Sequence, residues 1–345
     1  MSFIVKTESG QQIKLEDTPF TSGGEGEQYK IVSPQNLTNH CVKIYYLQYQ
    51  TLQKEEKLRF MIKNKPKQTT DSTNYMICWA IDLIYRQGRF VGFLMPLAFD
   101  NSIQLYELCT TKIRKKLSSI WYQKFERNID ISIENRLKLC VNIAIAIHNI
   151  HNTNNYVLVD MKPQNILVTP EGKISIVDLD SIQITKGGQV IHQGHVATPE
   201  YTPPEGIKLN PSKDFIPETW DRFSLAVIFY ELIFGLHPFV ATSIGQYQHI
   251  TTLEDAIKNG LFVFGSKAQY LQLPSLHNNF KILPKKIKDH FIQALDNEHN
   301  IPNARPTVES WGKVINDELK LEIEKINIIC PICTQSIRVP RYKHI

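Results

Sequence analysis

Four polar side chains that can act on a phosphate group lie close together in the second half of the chain. Asp160, Lys162 and Asn165 fall in the segment DMKPQN, and Asp178 follows Asn165 by thirteen positions. An aspartate can take the proton of a hydroxyl group, and a lysine can neutralise charge on a phosphoryl group. Asparagine and aspartate supply the hard oxygen ligands that Mg²⁺ accepts beside substrate phosphates. The set predicts phosphoryl transfer, with Asp160 and Lys162 catalytic and Asn165 and Asp178 as magnesium ligands. A polar turn followed by an unrelated strand-end aspartate is the alternative, and the spacing makes it the poorer one.

A glycine-rich segment and a strand lysine lie upstream. Gly23, Gly24 and Gly26 belong to the stretch TSGGEGEQY, where glycine lets backbone N–H groups approach phosphate oxygens closely. Lys43 lies inside the β-prone run CVKI and is placed to bind the α- and β-phosphates of ATP. Each signal is weak alone, because glycine clusters also form plain hairpins and strand lysines also face solvent. Their position ahead of Asp160 supports the phosphate interpretation.

Two glutamates on the next predicted helix are candidate partners for Lys43. Four residues after Glu56 comes apolar Phe60, whereas four residues after Glu55 comes charged Arg59. Residues four apart share one helix face, and the face toward the sheet should continue with an apolar contact. Glu56 is therefore expected to pair with Lys43.

Hydrophobic patterning predicts the elements that position these residues. The first third of the chain favours short strands and the remainder favours helices. The predicted strands are 3–5, 13–15, 29–32, 41–46, 77–84 and 90–97, the last two joined by a turn at 86–88, followed later by 166–168 and 174–177. The predicted helices are 50–62, 135–151, 223–235, 253–259, 284–295 and 308–324. The helix at 223–235 is apolar nearly all round, which indicates burial on every side. The predicted class is α+β.

Composition excludes several other classes of protein. The chain has 345 residues, 42% of them hydrophobic and 21% charged, which is typical of globular proteins with two or three folded units. The net charge of +5 is mild and the basic residues are not crowded into one segment, so nucleic-acid binding is not expected. No signal peptide and no apolar run of roughly 18 residues is visible, so no membrane association is expected. Single cysteines in apolar surroundings predict buried free thiols and a reducing, cytoplasmic location: Cys41, Cys78, Cys109 and Cys140.

Several of these motifs together resemble the protein kinase family. DMKPQN is similar to the kinase catalytic loop, and Asp178 in DLD matches the metal-binding aspartate of the D-F-G motif. Glu205 in the stretch TPEYTPPE matches the glutamate of A-P-E, and Arg305 in NARP matches the arginine that pairs with it. Asp221, ahead of the predicted buried helix, matches the structural aspartate of the family. The resemblance covers roughly residues 10–320.

This resemblance implies a bilobal protein-kinase-like fold and a kinase activity. It implies a small β-rich N-lobe at 1–97, a larger helical C-lobe at 98–325, and ATP contacts from Met95 and Leu97 in addition to the glycines, Lys43 and Glu56. The D-x-K pattern implies an ATP- and Mg-dependent serine/threonine protein kinase that also autophosphorylates. The stretches WAIDL, GFLMP, DLDS and ATPEYTPPE are similar to bacterial kinases of tellurite-resistance-type gene clusters. That likeness implies two partners, a von Willebrand A-domain protein and a PP2C-like phosphatase.

The chain departs from the kinase pattern at several positions. Thr21 stands at the first loop glycine and Gln28 at the valine that packs on adenine. Leu158 and Val159 replace His-Arg of H-R-D, so a phosphorylated activation segment lacks its usual arginine anchor. Asp180 replaces the glycine of D-F-G, which leaves it either to cap a turn or to lie near a second metal. These departures favour an alternative function, a nucleotide-binding pseudokinase scaffold, whereas the four retained polar groups favour an active enzyme.

The tail at 326–345 resembles the first half of a zinc ribbon. Cys330 and Cys333 have zinc-knuckle spacing, and His344 is the one nearby nitrogen donor, but a structural zinc site needs four ligands. Zinc at Cys330 and Cys333, a pair of free surface thiols and a thiol/disulfide pair all remain open.

Overall fold

The computed structural model describes residues 3–67, 74–195, 197–297, 299–323, 325–329 and 336–340. The chain divides into two compact units. The first unit comprises Met1–Leu105, Asn149–Thr198 and Ile207–Asp221, and the second comprises Tyr106–His148, Pro199–Gly206 and Arg222–Ile345. Strands dominate the beginning of the chain and helices dominate its later part, so the predicted α+β class is confirmed.

A seven-stranded sheet forms most of the N-terminal part of the first unit. Its strands are β1 (Phe3–Thr7), β2 (Gln12–Leu15), β3 (Thr21–Ser22), β4 (Gly26–Ser33), β5 (His40–Tyr45), β7 (Asp82–Arg86) and β8 (Arg89–Pro96), while β6 (Tyr75–Ile77) joins another sheet. The strand order is β2-β1-β7-β8-β5-β4-β3. Alternating side chains face a common apolar cluster; Ile13 and Leu15 of β2, for example, are fully buried while Gln12 and Lys14 are exposed.

The predicted turn between β7 and β8 is confirmed, but the single strand predicted at 77–84 is wrong. Gln87 and Gly88 both have positive φ, as a tight hairpin turn requires. The segment between β6 and β7 is instead a buried connection that contains Trp79. Its indole N–H donates to the Met61 carbonyl over 2.9 Å, and its ring packs on Tyr156. A continuous apolar run indicates burial on all sides without distinguishing a strand from a buried loop.

The helix predicted at 50–62 is confirmed as α1 (Leu52–Lys63). Thr51 precedes it, and its hydroxyl oxygen accepts a hydrogen bond from the backbone N–H of Lys54, as an N-cap residue does. The buried side of α1 carries two lysines as well as apolar residues: Lys54, Lys57, Leu58 and Met61.

Two small sheets in the first unit frame the DMKPQN segment. Their further strands are β9 (Ile103–Gln104), β10 (Tyr156–Val157), β11 (Ile166–Val168), β12 (Ile174–Ile176), β13 (Gln183–Lys186) and β14 (Gln189–His192). One sheet has the order β6-β12-β11-β9 and the other β10-β13-β14. The predicted pair of strands around the turn at 169–172 is confirmed, since β11 and β12 are antiparallel. As a result Asp160 lies between β10 and β11, and Asp178 follows β12.

The second unit is mainly helical. Its helices are α2 (Ser119–Phe125), most of α3 (Ile131–His151) and α4 (Thr219–Phe234), α5 (Leu253–Lys258), α6 (Lys285–Ile292) and α7 (Val308–Ile323), with a short strand pair, β15 (Thr242–Ser243) and β16 (Leu271–Gln272). The predicted all-round burial of α4 is confirmed, because its residues from Phe223 onward are buried except for the half-buried Glu231. The helix predicted at 284–295 changes after Ile292 into a π-helical turn, Gln293–Asn297.

Beyond α7, β17 (Lys325–Ile329) and β18 (Ser336–Pro340) form an antiparallel pair, and Cys330, Cys333 and His344 lie outside the described residues. The predicted free thiols are confirmed for the four cysteines within the described ranges, all of them buried. Among the described helices, none is both long enough and apolar enough to cross a membrane.

Candidate active site

The carboxylate of Asp160 is held by a lysine and a threonine. Its Oδ2 accepts a hydrogen bond from Lys162 Nζ over 2.6 Å. Its Oδ1 accepts from the Thr198 hydroxyl over 2.6 Å and from the Thr198 backbone N–H over 3.0 Å. Lys162 Nζ also donates to the Thr198 hydroxyl over 3.1 Å. A carboxylate that binds a hydroxyl group in this way can receive its proton, and the adjacent ammonium supplies positive charge.

Asn165 and Asp178 are connected to this loop through the backbone. The side-chain amide of Asn165 donates to the Asp160 carbonyl over 3.0 Å, which leaves its Oδ1 as the oxygen available to a cation. Its backbone carbonyl accepts from the N–H of Val177, the residue before Asp178. Asp178 has φ 59°, a left-handed conformation that non-glycine residues adopt rarely, and its side chain is 48% exposed. An exposed carboxylate and an amide oxygen are a donor set that suits Mg²⁺.

Lys43 binds two aspartates from the segment after β12. Its ammonium lies 3.0 Å from Asp178 Oδ1 and 2.8 Å and 3.0 Å from the two oxygens of Asp180. Burial alone would lower the pKa of Lys43, but the carboxylates of Asp180 and Asp178 raise it above its ordinary value. Lys43 is therefore a buried, permanently charged group.

Asp180 lies at the centre of a buried polar cluster. In addition to Lys43, it accepts a hydrogen bond from the Tyr45 hydroxyl over 2.6 Å, and Lys54 Nζ lies 3.9 Å away. Burial raises the pKa of Asp180, but the positive charges of Lys43 and Lys54 outweigh burial and hold it below the usual range. The sequence left two possibilities open for Asp180, a turn cap or a position near a second metal. The structure shows a third arrangement, in which Asp180 is the main partner of Lys43.

The predicted pair between Glu56 and Lys43 does not form. Glu56 is exposed, and Glu55 accepts hydrogen bonds from Arg59 over 2.8 Å and from the Tyr85 hydroxyl over 2.7 Å. The expectation took apolar Phe60, four residues after Glu56, as the mark of the buried face of α1, whereas the buried residues of α1 are Lys54, Lys57, Leu58 and Met61. Sequence reasoning missed Asp180, Tyr45 and Lys54 in this cluster; the replacement of the D-F-G glycine by aspartate was the available signal.

The glycine-rich segment forms the loop between β3 and β4. A side chain at Gly26 would bring its Cβ within 2.3 Å of the Ile44 carbonyl oxygen, so packing against β5 requires glycine there. Within the described part of the chain, no atom beyond the neighbouring residues lies within 4 Å of the corresponding position at Gly24, and Gly23 donates to the Gly26 carbonyl over 2.9 Å. The loop is closed at its base and open around Gly24, which leaves space for a phosphate. Lys54 fixes its third member, Glu25, through an ion pair of 2.5 Å.

Met95 and Leu97 lie at the end of β8. Met95 is buried opposite Cys41 of β5. Leu97 is half-buried, and its backbone N–H donates to the Asn39 carbonyl over 3.0 Å. Their contact with ATP stays a prediction.

Asp221 fixes the backbone just before Asp160. Its carboxylate accepts hydrogen bonds from the N–H groups of Leu158 over 2.8 Å and Val159 over 3.0 Å. The indole of Trp220 donates to the Val159 carbonyl over 3.0 Å. Val159 has φ 67°, an outlier for a β-branched residue; such a conformation costs about 1–3 kcal/mol and persists only where surrounding contacts offset that cost. These backbone contacts hold the loop where the chain lacks the His-Arg pair.

His151 is a site residue that sequence reasoning missed. Its Nε2 lies 2.8 Å from Asp221 Oδ2 and its Nδ1 lies 3.2 Å from Glu218 Oε1. Burial would lower the pKa of His151, but hydrogen bonds to the two carboxylates raise it to about 9. An imidazolium therefore compensates the buried charge of Asp221. A histidine ending the predicted helix at 135–151 was the sequence signal.

The second unit contains the pair of Glu205 and Arg305. Two parallel hydrogen bonds of 2.7 Å join the guanidinium to the carboxylate, and Arg305 also donates to the His299 carbonyl. Arg305 is 1% exposed, so this bidentate ion pair anchors the segment that contains Glu205 to a buried guanidinium.

Comparison with known proteins finds matches to protein kinases. A family described as "Protein kinase domain" matches residues 95–311. Protein kinase YegI of Escherichia coli K12 is 26% identical over 310 residues, covering 88% of this chain and 44% of its own. Serine/threonine-protein kinase MRCK gamma of Mus musculus is 35% identical over 119 residues, covering 34% of this chain and 8% of its own. The chain thus spans less than half the length of these relatives.

Proposed function

We propose that this chain, which belongs to the protein kinase family, is an active serine/threonine kinase that transfers the γ-phosphoryl of ATP to a protein hydroxyl with Mg²⁺ and also phosphorylates itself. The observation that carries the proposal is the binding of a hydroxyl group to Asp160. The Thr198 hydroxyl lies 2.6 Å from that carboxylate and 3.1 Å from Lys162 Nζ. A serine or threonine hydroxyl of a substrate can make the same contacts, so Asp160 can take its proton while Lys162 offsets charge on the phosphoryl group.

The first unit also provides groups for the nucleotide and its metal. Asp178 and Asn165 have the oxygen donors that Mg²⁺ needs, and the metal supplies charge neutralisation on the phosphates when bound. Lys43 supplies a fixed cation, and the loop at Gly24 has room for a phosphate. Asp160, Lys162 and Asn165 share one short loop, so the donor and acceptor groups keep a fixed spacing.

Asp180 takes the position that was assigned to Glu56. It orients Lys43 through two hydrogen bonds and is itself held by the Tyr45 hydroxyl. Because Asp178 is half exposed and Asp180 is buried, Asp178 can leave Lys43 for a metal while Asp180 keeps the ammonium in place. We therefore assign Asp180 as the residue that positions Lys43 for the phosphates, and Asp178 as the metal ligand.

Further features of the chain's organisation and partners are proposals. We propose an N-lobe at 1–97, a C-lobe at 98–325 and a tail at 326–345, and a cytoplasmic protein that acts with a von Willebrand A-domain protein and a PP2C-like phosphatase. We also keep zinc at Cys330 and Cys333 as a proposal. Within the described residues, no group of three or more His, Cys, Asp or Glu side chains is placed to hold a metal. A zinc assay before and after chelation would test the tail.

Replacing Asp178 with alanine tests the proposed function. The variant should keep its fold, because Lys43 retains Asp180, but should lose transfer from labelled ATP to itself and to a mixture of serine- and threonine-containing peptides. Asp289→Ala is the matched control, since Asp289 is an exposed aspartate on α6 that pairs with Lys285 on the surface. Unchanged transfer by the Asp178 variant would contradict the metal assignment. ATP binding without any transfer by the wild type would indicate the pseudokinase scaffold.

A further inference from the structure

Lys57 of α1 is a buried amine that has no acidic ion-pair partner among the described residues. It is 3% exposed, and its ammonium donates one hydrogen bond, to the Gln193 carbonyl over 3.2 Å. None of the ion pairs among the described residues includes it. Burial, followed by the positive charge of Lys54, lowers the pKa of Lys57 to about 7. A buried ammonium with unused donors is costly unless an anion compensates it.

Lys57 lines a cavity of about 680 Å³ between the start of α1 and the segment after β14. The charged and titratable side chains around it are Lys54, Lys57, Glu56, His192 and His195. Lys54 already has an ion pair with Glu25, and Glu56 is the one carboxylate among the described residues that line the cavity beside Lys57 and the two histidines. The N-terminal residues Thr51 and Gln53 also line the cavity, and the positive end of a helix dipole favours an anion there.

The positive charge of the lysines affects the pKa values of the two histidines. Burial lowers the pKa of His192, and Lys57 lowers it further. Burial likewise lowers the pKa of His195, with Lys54 and Lys57 adding to the effect. Their neutral rings have N–H donors for an anion, and a bound dianion would offset the repulsion that now acts on them.

We propose that this cavity is a binding site for a phosphate dianion, either inorganic phosphate or a phosphomonoester. A dianion balances the positive charge at Lys57, and its oxygens can accept hydrogen bonds from the ammonium of Lys57 and from the imidazoles. One source is free phosphate. The other is a phosphoryl group on Ser212, an exposed residue that lines the cavity and donates its hydroxyl to the His195 carbonyl over 2.7 Å.

The site goes beyond the proposed function and is tested without ATP. Unfolding of the unphosphorylated chain would be followed in potassium phosphate and in potassium chloride of equal ionic strength. Phosphate should raise the melting temperature of the wild type by about 2–4 °C, because a ligand that binds the native state stabilises it. In Lys57→Met this rise should disappear and the phosphate Kd should weaken about tenfold or more. Lys63→Met, which removes an exposed lysine of the same helix, should behave as wild type.

The opposite outcomes overturn the proposal. An equal phosphate effect in wild type and Lys57→Met, or none in wild type, would mean that phosphate does not bind at Lys57. Lys57→Arg retains the charge and should retain binding, so its loss would also count against the site. If Lys57→Met fails to fold, His195→Gln provides the second measurement, and an undiminished phosphate effect in that variant has the same meaning.

A separate comparison identifies the source of the phosphate. Wild type and Ser212→Ala would be incubated with ATP and Mg²⁺, checked for added mass, and returned to the phosphate titration. If Ser212 carries the natural ligand, free phosphate no longer stabilises the phosphorylated wild type but still stabilises Ser212→Ala. If free phosphate is the ligand, both proteins respond alike.

Discussion

Replacing His151 with glutamine should change how the stability of the protein depends on pH. The imidazolium lies between Asp221 and Glu218, and Asp221 holds the backbone before Asp160. Glutamine keeps a hydrogen-bond donor beside Asp221 but removes the titratable charge. The variant therefore isolates the contribution of the buried charge from that of packing.

The magnitude follows from the pKa of His151, which is raised from 6.5 to about 9. A group whose pKa is higher in the folded protein contributes stability that is complete below its unfolded pKa and disappears as pH rises through the folded pKa. The window is therefore pH 6.5 to about 9. At about 1.36 kcal/mol per pKa unit, the free energy of unfolding should lose up to roughly 3 kcal/mol across it.

The assay is urea unfolding of wild type and His151→Gln at pH 6.0, 7.5 and 9.5. The difference in the free energy of unfolding between wild type and His151→Gln should be largest at pH 6.0 and should be smaller by up to roughly 3 kcal/mol at pH 9.5. Lys57 has the opposite effect, because its folded pKa of about 7 lies below the ordinary 10.5. Its contribution to the free energy of unfolding therefore rises as the pH rises above 7. Both proteins keep Lys57, so its effect cancels in the difference. His249→Gln, at an exposed histidine, is the control. A difference that stays constant from pH 6.0 to 9.5 would refute the charged state of His151.

Three further predictions concern the active site. Asp160→Asn should lower kcat by about 10²-fold or more while ATP binding is kept, and a wild-type rate would assign the proton to another residue. Asp180→Asn should lower the free energy of unfolding by about 3 kcal/mol, because it leaves the buried Lys43 poorly compensated. The surface variant Asp289→Asn should change it by less than about 0.5 kcal/mol. Equal losses for the two variants in urea unfolding would contradict the pair of Lys43 and Asp180. Phosphatase-treated protein should phosphorylate a peptide as fast as untreated protein, because Val159 replaces the arginine anchor; a loss restored by rephosphorylation within 181–198 would refute this.

The local parts of the fold were accessible from the sequence. Asp160, Lys162 and Asn165 are held by one short loop, so their proximity follows from their spacing in the chain. The hairpin of β7 and β8 follows from two β-prone runs separated by a turn at 86–88, where Gly88 has the positive φ that glycine adopts readily. In both cases the residues lie close together because they are close in sequence, although Asp221 and Thr198 fix the Asp160 loop from further along the chain.

The partner of Lys43 could not be predicted from the sequence in the same way. Asp180 lies 137 residues further along the chain, and many carboxylates are available at such separations. The choice of Glu56 relied on the residue four positions on, apolar Phe60, and assumed that apolar residues alone mark the buried face of α1. Lys54 and Lys57 break that assumption, because Glu25 compensates Lys54 and the cavity borders Lys57. Only the tertiary arrangement determines which charges are paired.

The location of Asp180 has an evolutionary consequence. Asp180 and the metal-binding candidate Asp178 are separated by one residue, so the anchor of Lys43 and the metal ligand are inherited as one short segment. Selection to keep Lys43 oriented then acts on position 180 and on Tyr45, and it releases position 56 to vary. Related chains that have an acid at the position of Asp180 should tolerate neutral or basic residues at the position of Glu56, whereas chains with glycine at the position of Asp180 should not.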